Sequence, residues 1–209
     1  SAASDVYKRQ VYAALAERGF FPVEELSTHY ANGSRLSGHV SHKGVPGVEF
    51  STGSLGHGLS VAAGMALGGK KDNADWRVYC VLGDGECDEG SVWEAALQAH
   101  QYKLDNLVAI IDHNRMQSLD FCENTLALEP FGDKWRAFGW NVQEVNGHDV
   151  QAIYDAVEAA KTCTDKPNMI VMHTVKGKGW KRIEGTTMSH SLSVSADDLA
   201  EALNDIDKE

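Results

Sequence analysis

Cysteine and proline are both scarce, with four of each in 209 residues. Cys80, Cys87, Cys122 and Cys163 lie far apart and form no Cys-x-x-Cys pair, which excludes a disulfide-stapled scaffold and leaves them as reduced thiols. Basic residues are outnumbered, 19 against 30 acidic ones for a net charge of −11, and no Lys/Arg block occurs anywhere. A phosphate-backbone footprint or an attachment to anionic membrane is therefore excluded as a working reading. No apolar run approaches the roughly 18 residues of a membrane span, and no basic segment followed by an apolar stretch opens the chain. The expectation is a cytoplasmic protein. Repeats and low-complexity linkers are missing too, and 43% apolar with 23% charged residues is an ordinary endowment for one core.

Glycine is abundant and unevenly placed. Of 20 glycines, 13 fall between Gly33 and Gly90, a concentration that suggests tight turns or close approach of backbone to a ligand. Arg77–Leu82, Leu107–Asp112, Asn141–Val145 and Asn168–Thr174 are short, apolar and rich in β-branched residues, as buried parallel strands are. Helical patterns lie between them at Val92–Tyr102, Trp135–Phe138 and Val150–Lys161. Another runs from about Leu55 to Leu67, where Ala62, Ala63, Gly64 and Ala66 predict tight packing against a second backbone. Strands alternating with helices predict an α/β fold, a three-layer, doubly wound and mostly parallel sheet.

At the ends, Val11 begins a helix closed by Gly19 with Pro22 just beyond, and Ser195 is placed to cap a closing helix through Leu199, Leu203 and Ile206. Residues 1–10 lack periodicity, and Asp5–Gln10 resembles the translation of a sequencing adapter. They are read as a non-native leader, with one domain over 11–209.

Chemistry is carried by two strand ends. Gly83-Asp84-Gly85-Glu86 follows the first strand and Asp112-His113-Asn114 the second, so that Asn114 comes 30 residues after Asp84, the length of one βαβ unit. Neighbouring parallel strands lie ~4.8 Å apart, and ligands bind beyond their carboxyl ends. Asp84 and Asn114 can thus reach one small cation, a half-shell suited to Mg²⁺ completed by ligand phosphates and water. Gly53-Ser54-Leu55-Gly56 precedes a helix, where free N–H groups face an anion or polar ring. It is no G-x-G-x-x-G fingerprint, which disfavours a nicotinamide cofactor.

Gly-Asp-Gly followed about 30 residues later by Asn resembles the thiamine diphosphate and Mg²⁺ motif. The run Gly83-Asp84-Gly85-Glu86-Cys87-Asp88-Glu89-Gly90-Ser91-Val92-Trp93-Glu94-Ala95-Ala96, with Gly53–Gly58 and Lys176-Gly177-Lys178-Gly179 in the matching order, is similar to transketolase. In particular it resembles the N-terminal subunit of split transketolases, from about Val11 to His190. The resemblance implies the thiamine diphosphate-binding fold, specifically its diphosphate-binding domain. It implies Asp84, Asn114 and the carbonyl of Met116 as metal ligands, and Gly53, Ser54, Leu55, Gly85, Glu86 and Lys176 as cofactor contacts. His39 and His190 would serve substrate proton transfer, although the residues after His190 depart from the family pattern. Glu89 and Glu94 would belong to a carboxylate network at the subunit contact; five residues apart, they stand about 140° from each other around a helix. The remaining histidines are read as structural.

The activity so implied is transfer of a two-carbon ketol unit from a ketose phosphate to an aldose phosphate, with thiamine diphosphate supplying the carbanion chemistry. Such a chain needs a C-terminal, pyrimidine-binding partner subunit in a two-fold symmetric assembly, and sugar phosphates are its small-molecule partners. A family histidine that touches the diphosphate is expected upstream of Val11, where none is present. The α subunit of a thiamine-dependent 2-oxoacid dehydrogenase, a related synthase, and a non-catalytic cofactor-binding fragment remain alternatives.

Overall fold

The computed structural model describes residues 8–190 and 192–208; residues 1–7, most of the expected leader, lie outside it. Helix α1 spans Lys8–Glu17, starting three residues before Val11, and buries Tyr12 and Ala16 against Phe21, Leu36, Val40 and Val45. Its end is as the sequence indicates. Gly19 has φ +79°, its N–H bonds to Ala16 O at 2.8 Å, and the Phe20 N–H bonds to Leu15 O at 3.0 Å, the paired bonds of a left-handed helix stop.

Helix α2 runs over Gly58–Lys71 and begins later than Leu55, because Gly56 holds a φ of +81° that no helix accommodates. Strand β1 (Val78–Gly83) leads to a 3₁₀ turn, Gly85–Asp88, and then to helix α3 (Gly90–Gln101). Strand β2 is Leu107–His113. After it come a short helix α4 (Cys122–Thr125), helix α5 (Phe131–Ala137), strand β3 (Asn141–Asn146), helix α6 (Val150–Thr162) and strand β4 (Asn168–His173). Another 3₁₀ turn, Thr187–His190, precedes helix α7 (Ala196–Ile206).

The four strands are all parallel in the order β1-β2-β4-β3. The central strands are buried on both faces, as their apolar runs demand. Leu107, Ala109, Ile111, Met169 and Val171 point into the larger core with the small-residue faces of α2 and α3 and with Trp135 of α5. Val108 and Ile170 point the other way, onto Ala156 and Ala160 of α6. Helices therefore lie on both sides, the expected three layers. Ser195 and Asp198 form a reciprocal capping box on α7, and Arg182 ties that helix down by bonding Asp198 and lying 4.6 Å over the Trp180 ring.

Candidate cofactor site

Register places the two strand ends together. Gly83 pairs with Asp112, and the Asp84 N–H donates to Asp112 O at 3.2 Å, so Asp84 and Asn114 emerge side by side at the carboxyl edge. Asp84 is buried. One of its oxygens accepts the Gly85 N–H at 2.8 Å and the other accepts the Arg115 N–H. Asn114 Oδ1 accepts the Met116 N–H at 2.9 Å, turning the chain into a tight loop in which the Gln117 N–H bonds to Asp120 O at 2.8 Å.

A cleft of about 130 Å³ opens between these ends, lined by Leu55, Asp84, Gly85, Glu86, Asn114, Met116, Lys176 and His190, with Gln117 and Ser118. Lys176 leaves the end of β4 and is buried. Its ammonium donates to His190 Nδ1 at 3.3 Å. Most of the residues singled out from the sequence are thus gathered at one edge. Burial pushes the Asp84 carboxyl up from its ordinary value, against the opposing effect of the Arg115 and Gly85 N–H groups. The same cause lowers the Lys176 ammonium, which Asp112 and Asp84 partly restore, and drives the nearby Cys122 thiol up to about 12. None of the four cysteines forms a disulfide, and Cys122 is an inert thiol.

The glycine turns are close-approach sites. A Cβ on Gly53 would lie 2.3 Å from His39 Cδ2, and one on Gly56 would meet Ser91 Oγ at 2.6 Å and Glu89 Cβ at 2.7 Å. His39 is therefore beside the Gly53–Gly56 turn, in a segment anchored by the Tyr12 hydroxyl, which donates to Ser37 O and His39 O at 3.2 and 3.3 Å. Ser54 stands apart from the cleft, its hydroxyl 3.2 Å from His57 Nδ1. Glu89 is the residue before α3 and Glu94 is exposed on that helix; neither lines the cleft. Glu86 does, but both its oxygens are engaged, accepting the Gly56 N–H at 3.0 Å and the Gly83 N–H at 3.4 Å.

Two features were not readable in advance. Gln117 covers Gly85, its Cγ 2.7 Å from where a Cβ would stand, and bonds to Asp88. His113 and His173, register partners in β2 and β4, face each other Nδ1 to Nδ1 at 3.0 Å. Glu129 lies 3.0 Å from His113 Nε2 and Glu144 lies 3.0 Å from His173 Nε2. Of these four, His113 and Glu129 line a neighbouring cavity of about 570 Å³, which also has Phe121, Leu128 and Phe131 in its wall.

A parallel sheet that gathers a carboxylate, a carboxamide and a buried ammonium at its carboxyl edge has the build of a domain for an anionic cofactor and its counter-cation. Residues 9–206 match the family model for the transketolase thiamine diphosphate binding domain, and the chain belongs to the transketolase family. It is 43% identical over 199 residues to the 6-deoxy-6-sulfo-D-fructose transketolase subunit SqwG of a Clostridium species, covering 95% of this chain and 72% of that one. Against an apulose-4-phosphate transketolase subunit of Phocaeicola vulgatus it is 44% identical over 196 residues, 94% of this chain and 69% of the relative. Transketolase from Pichia stipitis, solved with fructose 6-phosphate, superposes with a TM-score of 0.87 at 30% identity over 94% of this chain. The chain spans 31% of that structure's length. Among the described residues no helix is long and apolar enough to cross a membrane.

Proposed function

We propose that the chain is the thiamine diphosphate-binding subunit of a split transketolase, which transfers a two-carbon ketol unit between sugars in the company of Mg²⁺ and a pyrimidine-binding subunit. The observation that carries this reading is the convergence of Asp84, Asn114, Met116 and Lys176 on one cleft at the ends of three adjacent strands. The donor set suits the metal. Asp84 and Asn114 offer hard oxygen atoms, each engaged by one backbone N–H and retaining a further lone pair for a cation. The Met116 carbonyl would complete the protein's share. Bound thiamine diphosphate would supply the carbanion chemistry of ketol transfer.

The chain's own residues do the rest. Lys176 brings a buried positive charge to the diphosphate, and Gly85 lets backbone approach it. The Gly53-Ser54-Leu55-Gly56 turn carries the ring end, with Leu55 as its wall toward the cleft. His39, held beside that turn, and His190, held by Lys176, take and return hydroxyl protons of the sugar. Glu89 and Glu94 serve the contact between subunits. The names of the two relatives, a sulfo-fructose and an apulose phosphate transketolase subunit, favour a ketose donor with an anionic group at its far end. The test is to mix the chain with a pyrimidine-binding subunit, thiamine diphosphate, Mg²⁺, such a ketose and an aldose phosphate, and to follow two-carbon transfer. Activity on mixing and none from the chain alone is expected; turnover by the chain alone would overturn the proposal.

A further inference from the structure

Glu86 sits in the middle of the site, yet its geometry is that of a clasp. We propose that Glu86, seconded by Ser91, is a positioning residue that fixes the Gly53–Gly56 turn relative to Asp84, and is not itself a ligand of the cofactor. This rests on the reading that the two loops hold one cofactor between them.

The loops are 30 residues apart in sequence, and among the described residues no backbone–backbone hydrogen bond joins them. What joins them is side chain. Glu86 Oε1 accepts the Gly56 N–H at 3.0 Å while Oε2 accepts the Gly83 N–H at 3.4 Å. Ser91 Oγ donates to Gly56 O at 2.9 Å. Residue 56 is thus gripped at both its N–H and its C=O by residues that follow β1, one on each side of the 3₁₀ turn's end. The grip is shape-selective as well, since Gly56 holds φ +81° and a Cβ there would strike Ser91 Oγ and Glu89. Glu86 is 3% exposed and its carboxylate is occupied by N–H donors on both oxygens. A free carboxylate facing a diphosphate would repel it, whereas one that spends its charge on two backbone N–H groups can stand beside the site and hold it in shape.

Glutamine at this position keeps the size but offers one acceptor oxygen and presents an NH₂ to the second N–H. The experiment measures amide hydrogen exchange on the cofactor-free chain and, separately, thiamine diphosphate affinity by calorimetry at saturating Mg²⁺. Wild type is compared with Glu86→Gln, Ser91→Ala and Ser91→Thr, each first shown to unfold cooperatively. Glu86→Gln should speed exchange at Gly56 or Gly83 by roughly tenfold and weaken cofactor binding by about the same factor, the worth of one charge-assisted hydrogen bond. Ser91→Ala should do so severalfold, and Ser91→Thr, which keeps the hydroxyl, should restore wild-type behaviour. Unchanged exchange at both glycines in Glu86→Gln would overturn the clasp. Faster exchange with unchanged affinity would overturn the positioning role, and lost affinity with unchanged exchange would make Glu86 a direct ligand instead. A wild-type chain that binds no cofactor would overturn the underlying cofactor reading, while the exchange data would still decide whether the clasp exists.

Discussion

The imidazole of His39 occupies the space that any side chain at residue 53 would need: a Cβ built on Gly53 would stand 2.3 Å from His39 Cδ2. The turn and the histidine are therefore one unit. Gly53→Ala must displace the ring and strain a backbone held at φ +134°, at a cost of about 1–3 kcal/mol. Urea unfolding should show that loss, and the assembled enzyme should lose turnover through the shifted histidine. A variant as stable and active as wild type would separate His39 from the turn.

Asp84→Ala removes the carboxylate on which the metal reading depends. Calorimetry should find no Mg²⁺-dependent thiamine diphosphate binding, in a protein that still unfolds cooperatively. Retained affinity would withdraw Asp84 as a ligand.

Trp135 is fully buried where α5 meets the sheet, beside Phe131, Trp93 and Trp140. Trp135→Ala should cost about 3–5 kcal/mol of unfolding free energy, the usual penalty for emptying so large a core position. Denaturant titration checks it, and a loss below about 1 kcal/mol would mean that the core there collapses without the indole.

The exposed capping box of α7 gives a pH dependence of known sign. Bonds from Ser195 and Arg182 hold the Asp198 carboxyl down at about 2, below the ~3.9 of an unfolded chain. A depressed carboxylate contributes stability above the unfolded value and loses it as pH falls toward the folded one. Amide exchange in α7 should therefore rise, relative to α6, between roughly pH 4 and pH 2, and Asp198→Asn should flatten that rise. Equal behaviour of variant and wild type would remove Asp198 from the cap.

Much of the fold could be read from local chemistry. Apolar runs marked the four strands, small residues marked the inward faces of α2 and α3, and Gly19 and Ser195 marked helix ends where their side chains, or lack of one, have a distinct physical job. Asp84 and Asn114 were legible because a parallel sheet dictates where strand ends fall. Less legible was anything set by side-chain direction or by long-range register. The use of Glu86 depends on the 3₁₀ turn that swings it toward Gly56, and Gln117 reaches Gly85 only through the loop after Asn114. His113 meets His173 because β4 inserts beside β2, a neighbour relation that spacing in the chain does not reveal. The start of α2 is less legible because its small-residue pattern runs on through Gly56, whose φ of +81° no helix accommodates.

Strand β4 lies between β2 and β3 although it follows both in the chain, with Val108 opposite Asn168. The carboxylate and carboxamide of the cleft come from residues 84 and 114, and its ammonium from residue 176, beyond β4. On a ribosome, which delivers the chain from its amino end, Asp84 and Asn114 emerge before the segment that carries Lys176. Of the four described strands β4 emerges last yet lies inside the sheet, and its place beside β2 is what sets Lys176 on the same cleft as Asp84 and Asn114.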